Sequence, residues 1–197
     1  MSTRQEKFTG TKDVQEHLRF DLDTLGRYLE DHIEGFTGPL EVREFKGGQS
    51  NPTYQLSTPS AKYVLRRKPP GELLPSAHAV NREYRVMHQL HPTGFPVPET
   101  YLLCDDERIV GTMFYVMEMV EGRIQWDMSL PDESPANRTA IWDAIVQTLV
   151  KLQSIDYAEI GLEGFGKTTD YMARQIHRWS KIYTVSETSK IPLMEQL

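Results

Sequence analysis

Residues 45–56 read FKGGQSNPTYQL, two glycines and the polar Gln49, Ser50 and Asn51 set between two β-prone runs. Glycine reaches positive φ without steric cost, and Asn and Ser are ordinary turn residues, so the segment satisfies a tight hairpin. The same residues let a backbone approach phosphates closely, with the Gly47 and Gly48 region giving amides and Ser50 and Asn51 giving side-chain hydrogen bonds. Taken alone, the segment leaves both readings open.

Working outward, β-prone runs at about 40–46, 52–58 and 61–67 are joined by GGQSN and TPSA and read as a meander. KPPGELLPS interrupts the pattern. A helix is predicted over 77–90, with Val80, Tyr84, Met87 and Leu90 on one side. After PVPE come TYLLC and TMFYVMEMV, predicted as strands four and five around the turn-like DDERIVG. The order βββαββ describes an α+β lobe, a five-stranded antiparallel sheet with one packed helix.

Upstream, residues 1–12 are polar and predicted to be loose. Val14, Leu18, Leu22, Leu25, Leu29 and Ile33 then recur at helical spacing, with Asp13 as a candidate cap and Gly35 and Gly38-Pro39 as stop signals. Beyond Gly122 the character changes to a mixed connector and then helical spacing over 138–155 and 169–183. The expected organisation is 1–38 as tail and helix, 39–122 as the β-rich lobe, and 123–197 as the start of a helical lobe.

The chain of 197 residues has a net charge of −6 and a pI near 5.5. That balance argues against nucleic-acid binding, which needs a basic surface to displace counterions from phosphates. Cys104 is the only cysteine, which excludes an internal disulfide and a cysteine metal cluster and points to a reducing, cytoplasmic setting. The polar start and the lack of any run of about 18 apolar residues give no membrane signal.

On the third run, YVLRRK, the two-residue period sends Val64, Arg66 and Lys68 to one face and Tyr63, Leu65 and Arg67 to the other. Seventeen residues after Arg66 comes Glu83, on the helix that should pack on the sheet, where a carboxylate can pair with the strand cation. FYVMEMVEG is an apolar strand feeding a short linker. Each feature has an ordinary structural reading, as an edge charge, a solvated acid and a buried strand.

Their joint order is what phosphoryl transfer requires: glycine-bearing turn, strand cation, helix carboxylate, then strand and linker. In FKGGQSNPTYQL, YVLRRKPPG, NREYRVMHQL with GFPVPE, FYVMEMVEG, GLEGFGK and YMARQIHRWSK, the sequence resembles the protein-kinase-like fold, and more narrowly the aminoglycoside phosphotransferase family. Within that family it is most similar to the kinase-like domains of acyl-CoA dehydrogenase family proteins. The resemblance implies ATP and Mg2+ as cofactors and a small-molecule hydroxyl as acceptor. It implies that Gly47, Gly48, Ser50 and Asn51 lie over the triphosphate, that Arg66 stands where a phosphate-binding lysine is usual and pairs with Glu83, and that Met117 backs the adenine pocket. The backbones of Glu118 and Val120 would then face the adenine edge. Arg in place of Lys is a departure, and Lys68 is the rival cation.

The family's His-Gly-Asp loop and later metal-binding Asp have no counterpart in these residues: no His precedes Gly-Asp, and no Asp-Phe-Gly occurs. The expectation is a truncated chain that binds nucleotide without catalysing transfer, with a non-catalytic kinase-like module as the alternative. GLEGFGKT, residues 161–168, fits the G-x-x-x-x-G-K-T pattern, but a buried strand before it is not convincing, and Lys167 is assigned no phosphate role. Arg174, His177, Arg178 and Lys181 read as a solvated helix face. Trp126, Trp142 and Trp179 read as packing residues.

Overall fold

The computed structural model describes residues 4–47, 50–71, 78–167 and 169–193. They fall into two compact units, Met1–Asp156 and Tyr157–Leu197. The first unit begins with helix α1 (Arg4–Phe8), strand β1 (Thr11–Lys12), helix α2 (Leu22–His32) and strands β2 (Glu41–Phe45), β3 (Thr53–Ser57) and β4 (Lys62–Arg67). It continues with α3 (Val80–Leu90), β5 (Thr100–Cys104), α4 (Glu107–Val110), β6 (Phe114–Glu118) and α5 (Pro135–Gln153).

The sheet is antiparallel throughout, in the order β1-β2-β3-β4-β6-β5. The α+β, kinase-like lobe expected from the sequence is present, with six strands instead of five. The extra strand is β1, where Thr11 and Lys12 pair with Phe45 and Glu44. Two polar residues carry no strand pattern. What holds them is the buried Glu44 of β2, whose carboxylate receives both the backbone and side-chain N–H of Gln15 and an ion pair from Lys12 at 3.1 Å. Burial pushes the Glu44 carboxyl up, but these donors outweigh it and hold the group below its ordinary value.

One face of the sheet carries the core. Leu25, Leu29 and Ile33 of α2 and its end pack with Tyr54, Leu56, Tyr63, Leu65, Phe114 and Val116, all at alternate strand positions. The long helix expected from residue 14 starts only at Leu22, capped by Asp21, whose carboxylate accepts from Thr24 N at 2.6 Å. Asp13 instead pairs with Arg43. The periodicity through Val14 and Leu18 was overridden by a tertiary contact: the Leu18 carbonyl, which would accept from Leu22 N in a continuous helix, accepts from Arg67 Nη2 at 2.8 Å and from Tyr54 Oη at 3.3 Å. Glu16–Leu18 therefore forms a 3-10 turn.

Arg67 is the pivot of this region. It is 3% exposed, donates to Tyr54 Oη and the Val110 carbonyl as well as to Leu18, and lies over the rings of Phe20 and Tyr54 at 5.1 and 5.4 Å. Burial of a cation costs several kcal/mol unless every donor is met, and carbonyls with aromatic faces meet them here.

The opposite face carries α3. Val80 and Leu90 are buried, Tyr84 packs edge-on to Tyr115, and the helix presents Glu83 to the sheet. Its expected start at Ala77 lies outside the described residues; the described helix begins at Val80 after Ala79. α5 leaves Trp142, Ile145, Val146, Leu149 and Val150 exposed. In the second unit, residues 157–167 form turns over the buried Leu162, and α6 (Tyr171–Ser186) exposes Tyr171, Met172, Ile176 and Trp179.

Arg67→Leu should lower the unfolding free energy in urea by about 3 kcal/mol, because buried carbonyls lose their donor. A change under about 1 kcal/mol would contradict this role for the buried guanidinium.

Candidate active site

The alternation of β4 puts Val64 and Arg66 on the face opposite the core. Antiparallel register brings Met117 beside Val64, and Tyr115 and Thr53 beside Arg66. Arg66 binds Glu83 of α3 through two nitrogens, Nε to Oε2 at 2.7 Å and Nη2 to Oε1 at 3.4 Å. Its Nη1 donates to Thr53 Oγ1 at 2.9 Å and to the Asn51 carbonyl at 3.4 Å. The Glu83 carboxylate receives two further bonds, from Asn51 Nδ2 at 3.1 Å and from Tyr115 Oη at 3.0 Å. The Asn51 amide oxygen meets His78 Nδ1 at 2.7 Å. Four elements thus converge on one ion pair.

Arg66 also lines an open cleft of about 850 Å3, whose walls include Gly47, Val64, Met117, Glu118, Val120 and Trp126. Of the expected site residues, Gly47, Arg66, Met117, Glu118 and Val120 therefore stand together. Asn51 is buried and committed to Glu83 and His78, outside that wall. Ser50 is exposed, and Gly48 lies outside the described residues. Lys68, past the end of β4, does not line the cleft; its backbone is fixed to Met113 O and Thr112 Oγ1. Glu118 N donates to Glu99 O at 2.8 Å and its carboxylate accepts from Glu99 N, which pins the start of the linker.

Gly47 is needed for a close approach. A Cβ there would lie 2.8 Å from the Trp126 ring and 3.0 Å from the Phe8 carbonyl. Trp126 packs against Phe8 and Gly47, as expected of a packing residue, and also lines the cleft, whereas Trp142 and Trp179 are exposed, which departs from the packing role expected for them. Sequence patterns alone do not single out Tyr115, Thr53 or Phe8. The first two follow from register once Arg66 and Met117 are placed; Phe8 sits in a polar stretch with no periodic signal. GLEGFGK lies in turns, with no strand among the described residues 154–160 before it, so the phosphate-loop pattern there lacks its structural setting.

The Tyr115 phenol is pushed above its ordinary value by burial, then by the Glu83 charge and hydrogen bond. It stays protonated and keeps donating to Glu83.

Comparison with known proteins bears on this arrangement. Residues 41–196 match the phosphotransferase enzyme family. The chain belongs to that family. It is 45% identical over 194 residues to acyl-CoA dehydrogenase family member 11 of Rattus norvegicus, covering 95% of the chain and 25% of that protein. Acyl-CoA dehydrogenase family member 10 of Mus musculus is 45% identical over 188 residues, 18% of its length. A solved structure assigned as an aminoglycoside phosphotransferase from Ralstonia eutropha superposes with a TM-score of 0.74 at 48% identity, covering 90% of this chain and 51% of that one. The chain therefore spans about a quarter of the first of these relatives and about half of the structural neighbour.

A raised phenol pKa stabilises the fold fully below the unfolded value of 10.0 and progressively less as pH climbs through the folded value. Tyr115→Phe should make the loss of stability above pH 10 less steep than in the unaltered protein, as urea midpoints on either side of pH 10 would register. An identical alkaline slope would remove Tyr115 as a contributor.

Proposed function

We propose that this chain is the nucleotide-binding lobe, with the first helices of the following lobe, of an ATP-dependent phosphotransferase acting on a small-molecule hydroxyl. The observation that supports it most is the two-pronged Arg66–Glu83 pair at the wall of an open cleft. A guanidinium has five N–H donors. Four contacts hold Arg66 in place, two of them long at 3.4 Å, so phosphate oxygens arriving in the cleft can recruit the remaining donor and displace the weaker bonds. Glu83 fixes its orientation in advance, and preorganised charge at the phosphates is what phosphoryl transfer needs from the protein. Met117 and Val64 offer an apolar surface for adenine, with the Glu118–Val120 backbone at its edge. The setting is cytoplasmic in this reading, and no helix among the described residues is long and apolar enough to cross a membrane.

Mg2+ is expected to arrive on the nucleotide. Among the described residues no three His, Cys, Asp or Glu side chains stand close enough to hold a metal ion, which fits a magnesium ion carried mainly by the nucleotide's phosphates and waters. The attacking hydroxyl also needs a carboxylate that the His-Gly-Asp loop supplies in the family, and that sequence does not occur in these residues. The chain by itself is therefore proposed to bind nucleotide without transferring phosphate. The same observation supports a second reading, a nucleotide-binding kinase-like module without catalysis, which predicts binding and no phosphorylated product even in the longest natural protein.

At about a hundredfold excess over Kd, Mg-ATP should raise the melting temperature by roughly 5–10 °C. Arg66→Ala should abolish that rise. No rise in the unaltered protein would reject the nucleotide reading.

A further inference from the structure

The N-terminal segment is tied down at two places that span the cleft. At one end Gly10 O accepts from Lys46 N at 3.0 Å and β1 pairs with β2, beside the Gly47 bend. At the other, the Gln5 carboxamide acts as a strand partner to the interlobe linker, with Nε2 donating to Ile124 O at 2.6 Å and Oε1 accepting from Trp126 N at 3.3 Å. Between these anchors the Phe8 ring meets the Trp126 ring at 5.1 Å with a 43° tilt, and both rings line the cleft. Gly47, with no side chain, admits the Trp126 edge.

We propose that residues 5–12 form a third wall of the nucleotide cleft, in which Phe8 and Trp126 are the aromatic surface that receives the nucleoside part of the ligand, and Gln5 is the positioning residue that holds that surface in register. The inference rests on the nucleotide reading of this same cleft. Of residues 5–12, Phe8 and Gly10 line the cleft, and with Trp126 they offer aromatic carbon and backbone suited to a flat uncharged base and ribose; of the cleft-lining cations, Arg123 is paired with Glu133, and Arg66 on β4 is the one that suits phosphates. Aromatic rings stack on any base, and such a contact is worth about five- to hundredfold in affinity.

The test uses the protein with Trp142→Phe and Trp179→Phe, both exposed positions, so that Trp126 is the sole reporter. Mg-ATP should quench Trp126 emission along the same saturation curve that raises the melting temperature, and Mg-tripolyphosphate should leave the emission unchanged. Phe8→Leu should weaken ATP binding about tenfold. Gln5→Ala, on an exposed side chain, should weaken ATP severalfold without altering any affinity for tripolyphosphate. A melting-temperature rise with unchanged emission, an equal quench by tripolyphosphate, or undiminished ATP affinity in both Phe8→Leu and Gln5→Ala would each overturn the wall while leaving the cleft reading intact. Neither signal responding to ATP would overturn both.

Discussion

Two consecutive guanidiniums on β4 are sent to opposite faces of the sheet by the two-residue period of a strand, and the molecule is organised around that division. Arg67 points into the core and takes up the Leu18 and Val110 carbonyls, which sets where α2 begins and ties the end of α4 to the sheet. Arg66 points into the cleft and takes up Glu83, which seats α3. A one-residue slip in register would exchange them, burying the charge that needs a carboxylate and exposing the one that needs carbonyls.

The two cations differ in what they contribute. Arg67 is enclosed, so its bonds are not shared with water and its loss leaves orphaned acceptors. Arg66 and Glu83 retain 26% and 36% of their side-chain exposure, and an ion pair in that setting contributes on the order of 1 kcal/mol or less to folding. Yet Glu83 gathers four donors from Arg66, Asn51 and Tyr115. So many bonds orienting one partly exposed guanidinium fit a binding role better than a stabilising one, since preorganisation removes the ordering cost that a ligand would otherwise meet.

The core strands were legible because each alternates cleanly: Tyr63, Leu65 and Arg67 against Val64 and Arg66 is a pattern that a sheet with two different faces imposes. The Arg66–Glu83 meeting was legible for the same reason, since strand phase and helix phase together leave few places for either group. The rest depended on contacts distant in sequence. The break of the first helix at Leu18 required knowledge of Arg67, 49 residues away. Strand β1 depended on Glu44, and the place of Trp126 at the cleft depended on Gly47, Phe8 and Gln5. Asn51, read as a phosphate contact from its place in a glycine-rich turn, bonds Glu83 and His78, partners that no local pattern announces.

The central claim is that the Arg66 guanidinium, held by Glu83 beside the Gly47 bend, is where the phosphates of a nucleotide sit. A crystal structure of the protein with a non-hydrolysable ATP analogue and magnesium tests it most directly. Phosphate oxygens are expected within hydrogen-bond distance of Arg66 Nη1 or Nη2, with the Glu83 contact retained and the base against Met117 and the Glu118–Val120 backbone. Phosphates bound elsewhere, with Arg66 and Glu83 unchanged and out of reach, would contradict it.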